Sequence, residues 1–148
     1  MHIHIGGHPE PSVNDIIQLA NVNAITNSGY TTEFVVNENG EKYAIVIIDA
    51  GKAVNFYNAY KNSYAAPGVW YTDTKIGRKF YDIKNLLMLR DHQSELNAHM
   101  LAQAYILKEF KSGISLLQQQ PDGTFHEVHQ QVIKHRNSDP TFITTICP

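Results

Sequence analysis

The stretch Tyr30–Asp49, "YTTEFVVNENGEKYAIVIID", decides the fold. Two runs rich in β-branched and aromatic residues flank Asn39-Gly40, a dipeptide that takes positive φ readily and suits the type I′ turn of a tight hairpin. The second run, Tyr43 to Ile48, is apolar throughout. Both of its faces need cover, which places it inside a sheet and not at an edge. Such a hairpin requires further strands, and the end of the chain supplies them. "ISLLQQQPDGTFHEVHQQVI" (114–133) reads as a second hairpin turning on Pro121-Asp122-Gly123. Beyond the break at "NSDP", "TFITTIC" (141–147) reads as a last strand.

Helical patterns fill the intervals. Ser12 is a good N-cap, and Asp15 stands where its carboxylate can return a hydrogen bond to the cap and favour the positive end of the helix dipole. Ile16, Leu19 and Ala20 keep a helical rhythm until the stop at Gly29, predicting a helix over 12–27. "AGKAVNFYNAYKNSY" (50–64) reads as a second helix. Residues 63–80, with Pro67-Gly68 and Gly77, read as an ordered, aromatic-rich loop. Residues 81–110 read as a long helical stretch, either continuous or broken near His92 to Ser94 with Ser94 recapping, and Gly113 stops it. The expected fold class is α/β (mixed α+β), a small sheet built from hairpins and flanked by helices, in one domain spanning 1–148.

Bulk composition narrows the function classes. A chain of 148 residues is large enough for one domain with a substantial core. A net charge of −2 removes any whole-protein electrostatic attraction to nucleic acid or to anionic lipid. The single cysteine, Cys147, excludes an intramolecular disulfide and a cysteine-rich zinc site. The apolar run 43–48 is far shorter than the ~20 residues of a membrane helix, and the histidine-rich N-terminus is no signal peptide. The expectation is a soluble chain without a membrane partner, either cytoplasmic or released as part of a larger protein.

The N-terminus, "MHIHIGGHPEPSVND" (1–15), carries the densest chemistry. His2 and His4 lie two apart, so on a strand both belong to one face, with Ile3 and Ile5 turned the other way into a core. Two imidazoles on one face can share a metal ion. Gly6, Gly7, Pro9 and Pro11 form a bent loop, and the helix capped by Ser12 then brings Asp15 back towards the histidines. The bland alternative is a half-buried strand with a polar face made of imidazole. A tag remnant fits less well, because the histidines alternate with isoleucines and run straight into a helix cap.

His2-Ile3-His4, seven residues, then Ser12-Val13-Asn14-Asp15 reproduces the H-x-H-x7-S-x-x-D signature of the JAMM (MPN, or JAB-like) metalloproteases, and the chain resembles that family. The resemblance implies zinc as cofactor, with His2, His4 and Asp15 as metal ligands and Ser12 as the hydroxyl on the oxyanion side. It implies hydrolysis of a peptide or isopeptide bond, with a glutamate upstream of the motif as general base. Two departures stand out. Ile5 occupies the position where the family usually has proline, and only one residue precedes His2, so the upstream glutamate is absent. Glu10 is the nearby substitute, Glu33 a more distant one; otherwise a partner segment or chain would supply the base. The chain then reads as the C-terminal part of a longer JAMM-like domain. More loosely, the downstream pieces resemble C-terminal regions of large secreted or Rhs-type proteins of Bacteroidetes, among which polymorphic toxins are found.

Two readings from other classes stand beside it. One is a non-catalytic binding or assembly module. The other is a metal-independent ribonuclease toxin, in which His126 and His129 act as base and acid and the lysine, Lys134, meets the phosphorane charge. On a strand, His126, Lys134 and Arg136 share one face, and Glu127, His129 and His135 the other. His92 and His99 share a face if one helix holds both, and Tyr57, Tyr60, Tyr64, Trp70 and Tyr71 form an aromatic group suited to core packing.

Overall fold

A computed structural model describes residues 2–3, 11–26, 29–37, 40–65, 68–133 and 141–146, with 2–3, 26, 129–133 and 141–146 described by their backbone. In chain order the elements are β1 (His2–Ile3), α1 (Val13–Thr26), β2 (Thr32–Val36), β3 (Lys42–Ile47), α2 (Ala50–Tyr60), β4 (Tyr64–Ala65) and β5 (Val69–Trp70). They continue with α3 (Lys75–Leu89), α4 (Glu95–Glu109), β6 (Ile114–Gln119), β7 (Phe125–Ile133) and β8 (Thr141–Ile146). The strands form one six-stranded sheet of order β1-β2-β3-β6-β7-β8 and a small β4-β5 hairpin. Every pairing is antiparallel except β1 with β2, which is parallel. The fold is mixed α+β, with a sheet made of hairpins and helices packed on it.

The 30–49 stretch folds as its sequence predicts. Asn37 and Glu41 close the turn between β2 and β3, with Asn37 N–H bonded to the Glu41 carbonyl at 3.0 Å, and Gly40 takes φ +79°. Asn39 lies outside the described residues. β3 is internal, flanked by β2 and β6. Its residues Tyr43, Ile45 and Ile47 alternate onto the face covered by α1 and α4 and join Val35, Ile114, Leu116 and Val128 in the core. On the opposite face, Phe34 and Phe125 meet edge to face with centroids 5.6 Å apart. α1 buries Val13, Ile16, Ile17, Leu19 and Ala20, and each of its larger apolar side chains contributes about 1.5–3 kcal/mol by leaving water.

The expected loop over 63–80 is replaced by two elements. Tyr64–Ala65 and Val69–Trp70 pair as a hairpin, and α3 begins at Lys75. Gly77 suggested a break because glycine weakens helices, but here it lies in the first turn, where a Cβ would meet the Tyr71 carbonyl oxygen at 1.9 Å. Thr74 caps this helix: its hydroxyl accepts from Gly77 N–H at 3.1 Å and donates to the Tyr71 carbonyl at 2.7 Å. Trp70 is buried, and its indole N–H donates to Gln103 Oε1 at 3.1 Å, tying the hairpin to α4. Residues 81–110 form two helices, with Ser94 recapping α4 by accepting from Asn97 N–H at 3.3 Å. His92 lies in the turn at φ +50°, so it does not share a helix face with His99, which is buried edge-on against Phe80.

Candidate functional site

One end of the sheet holds the described parts of the N-terminal motif, the His2–Ile3 backbone and the start of α1. β1 runs parallel to β2, with His2 beside Val35 and Ile3 beside Val36. α1, 14 residues or about 21 Å long, contacts β2 and β3, and its C-terminal end at Thr26 leads back to Thr32 at the start of β2. Its first turn therefore lies at the opposite end of β2, where β1 leads. The parallel β1 and the returning α1 bring the first and last members of the motif to the same edge of the molecule. The row through Val35 continues through Tyr43, Gln118 and His126.

Ser12 and Asp15 form a reciprocal cap. Asp15 Oδ2 accepts from Ser12 N–H at 2.7 Å and from the Ser12 hydroxyl at 2.9 Å, while Asp15 N–H donates to Ser12 Oγ at 3.3 Å. Ser12 is 5% exposed and Asp15 6%. These hydrogen bonds hold the carboxylate in one orientation at the helix N-terminus. Gly68, at the start of β5, lies directly against the cap. A Cβ there would stand 2.7 Å from Ser12 Cβ and 2.9 Å from its Oγ, and φ is +134°. No sequence signal links positions 12 and 68, because their contact is made only by the folded hairpin.

As metal-site residues, His2 is described by backbone alone, and His4, His8 and Glu10 lie outside the described residues. Among the described residues no three His, Cys, Asp or Glu side chains gather as a ligand set. The donor chemistry of Asp15 fits a zinc ligand. A carboxylate offers four lone-pair positions on two oxygens, and two hydrogen bonds on Oδ2 orient it as outer partners orient a ligating group. The Ser12 hydroxyl proton is committed to Asp15, so an oxyanion-side role requires that hydroxyl to turn.

No protein-family model matches the sequence, and neither a curated protein nor a solved structure matches it. Among the described residues no helix is long and apolar enough to cross a membrane.

The second histidine group is differently built. His126 Nε2 lies 3.0 Å from Thr124 Oγ1, whose hydroxyl donates to Asp122 Oδ1 at 2.6 Å; because that proton is spent, Nε2 is the donor to Thr124. These hydrogen bonds from Thr124, with the neighbouring His126, hold the Asp122 carboxyl below its ordinary range. His129 lies three residues along β7 from His126 and is described by its backbone, in register with Thr145. Lys134, His135 and Arg136 lie outside the described residues. Glu33, the more distant candidate base, is on β2 in register with Ile45. A further polar group went unnoticed in the sequence: Glu41 Oε2 accepts from Asn37 Nδ2 at 2.6 Å and from the Tyr43 hydroxyl at 3.0 Å.

Proposed function

We propose that this chain is a JAMM-like zinc-dependent hydrolase domain, or the C-terminal part of one, acting on peptide or isopeptide bonds. The observation that supports it most is the buried Ser12–Asp15 cap at the sheet end towards which β1 leads. A surface helix cap needs no burial. This one is enclosed, with a glycine backing onto it.

In this reading His2, His4 and Asp15 hold the metal and Ser12 serves the oxyanion side. Bound zinc supplies Lewis acidity and lowers the pKa of a coordinated water towards ~7. The chain's own residues do the rest. Ser12 N–H and Oγ hold Asp15 in place, and the hydroxyl turns from Asp15 to donate to the oxygen that gains charge as the amide carbon becomes tetrahedral. Glu10, or a carboxylate from a partner segment or chain, takes the proton and returns it to the leaving nitrogen.

The test is cleavage of a fluorogenic peptide amide and of an isopeptide-linked lysine by zinc-loaded protein, beside Ser12→Ala and Glu10→Gln. Cleavage that EDTA abolishes, and that falls on order of a hundredfold in Ser12→Ala, supports the reading. Retained cleavage in Glu10→Gln assigns the base to another chain. No cleavage of either substrate, with zinc demonstrably bound, favours the non-catalytic binding module.

A further inference from the structure

Charge is divided unevenly along the chain. Residues 50–111 hold nine Lys and Arg and five Asp and Glu, a net +4, and the remaining residues carry −6. Three of the nine cations are engaged in ion pairs, Lys52 with Asp49, Lys84 with Glu95 and Arg90 with Asp91. The other six, Lys61, Lys75, Arg78, Lys79, Lys108 and Lys111, form no ion pair among the described residues. They stand where the end of α2, the start of α3 and the end of α4 meet. Lys75 Nζ lies 6.0 Å from the centroid of the Phe110 ring, and Phe110 meets Tyr60 edge to face at 5.5 Å. Lys79 Nζ lies 5.6 Å over the Tyr105 ring, and Lys61 Nζ 5.4 Å over the Tyr57 ring. The carboxylates of the same segments are Asp73, Asp82 and Glu109.

Helix stability does not account for this placement. Lys75, Arg78 and Lys79 fall within the first five residues of α3, whose first turn carries no acid. The positive end of a helix dipole disfavours cations there. The rings beneath Lys61, Lys75 and Lys79 hold the three ammonium groups near fixed points by cation–π attraction. Tyr71, 45% exposed, joins them, because its N–H donates to the Ser63 carbonyl at 2.9 Å and its carbonyl accepts from the Thr74 cap of α3 at 2.7 Å. No other ring meets Tyr71 among the described residues.

We propose that this face binds single-stranded nucleic acid without sequence preference, its cations along the phosphates and Tyr71 stacked on a base. Unpaired cations interleaved with an exposed ring match a strand whose bases are free to stack. A duplex keeps its bases stacked on one another and offers none to Tyr71. A lipid surface matches less well, since insertion needs exposed aliphatic side chains beside the cations. The most exposed of these, Ile25, Ile48 and Leu89, stand on α1, after β3 and at the far end of α3. The whole-chain charge of −2 rules out long-range attraction but not this contact. Charges farther away than a Debye length, about 8 Å at physiological salt, are largely screened.

The experiment is fluorescence anisotropy of a labelled oligo(dT) of about 15 nucleotides with the whole chain, between about 50 and 200 mM salt. The expected result is a Kd of about 10–100 µM at the low end, rising with salt at a log–log slope of about 0.7 per phosphate neutralised. Lys61→Gln, Lys75→Gln and Lys79→Gln together should weaken binding about tenfold or more and reduce that slope by about 2. Tyr71→Ser should weaken it about fivefold or more at unchanged slope, and Tyr71→Phe, which keeps the ring, should bind as wild type. Lys42→Gln, on the sheet, should leave binding unchanged. No binding at the lowest salt, a triple variant that binds as wild type, or equal affinity for a duplex of the same length would overturn the proposal. So would binding to phosphatidylserine vesicles without binding to the oligonucleotide. Equal loss in Tyr71→Ser and Tyr71→Phe would overturn the stacking role.

Discussion

At the start of α1, Asp15 Oδ2 accepts hydrogen bonds from the N–H and the hydroxyl of Ser12; at the β6–β7 turn, Asp122 Oδ1 accepts the same two kinds of bond from Thr124. The first opens α1, and the second braces the turn before β7, beside His126. Their surroundings differ. Ser12 and Asp15 are almost wholly enclosed, whereas Asp122 and Thr124 are exposed. Local geometry alone therefore does not distinguish a turn brace from a candidate ligand. Burial does, because an enclosed carboxylate has exchanged water for fixed partners and retains a defined orientation.

The largest effect should separate the two motifs directly. Asp15→Ala removes the cap and leaves buried donors of Ser12 without an acceptor, which should cost about 2–4 kcal/mol in urea denaturation. Asp122→Ala should lower the unfolding midpoint only slightly. Equal losses in the two variants would break the comparison.

A glycine pair tests the enclosure itself. Gly68→Ala forces a methyl into Ser12 at a φ that L-residues avoid, and should cost about 2 kcal/mol or more. Gly123→Ala, also at positive φ but with nothing within 4 Å, should cost only the backbone term, about 1 kcal/mol. Thermal unfolding of both reads the difference. A Gly68 variant no worse than the Gly123 variant would mean that the β5 start does not press on the cap.

The smallest effect is one of pH. The Asp122 carboxyl is held below its unfolded value, first by the Thr124 hydroxyl. Its contribution is therefore fully present above the unfolded pKa and fades as pH falls through the folded one. The gap in unfolding midpoint between wild type and Asp122→Asn should be small at neutral pH and vanish in acid. A gap independent of pH would assign it to shape and not to charge.

Much of this was legible in the sequence for local reasons. Asn39-Gly40 and the apolar run at 43–48 specify a hairpin with a central strand, and Ser12 with Asp15 specifies a cap, because each depends on neighbours a few residues away. Residues 63–80 differ from the expected loop, since the Tyr71 carbonyl that crowds Gly77 in the first turn of α3 is a contact the sequence pattern does not show. The hydrogen bond from Trp70 to Gln103 and the contact of Gly68 with Ser12 join distant positions.

The most direct measurement is metal content by elemental analysis of purified protein refolded with zinc, wild type beside His4→Ala and Asp15→Asn. Asp15→Asn keeps the side-chain shape and an acceptor for Ser12, so loss of metal there is not loss of the helix cap. The account predicts one zinc per chain in the wild type and none in either variant. A wild type without zinc, or zinc retained in both variants, would contradict it and leave the Ser12–Asp15 pair as a helix cap alone.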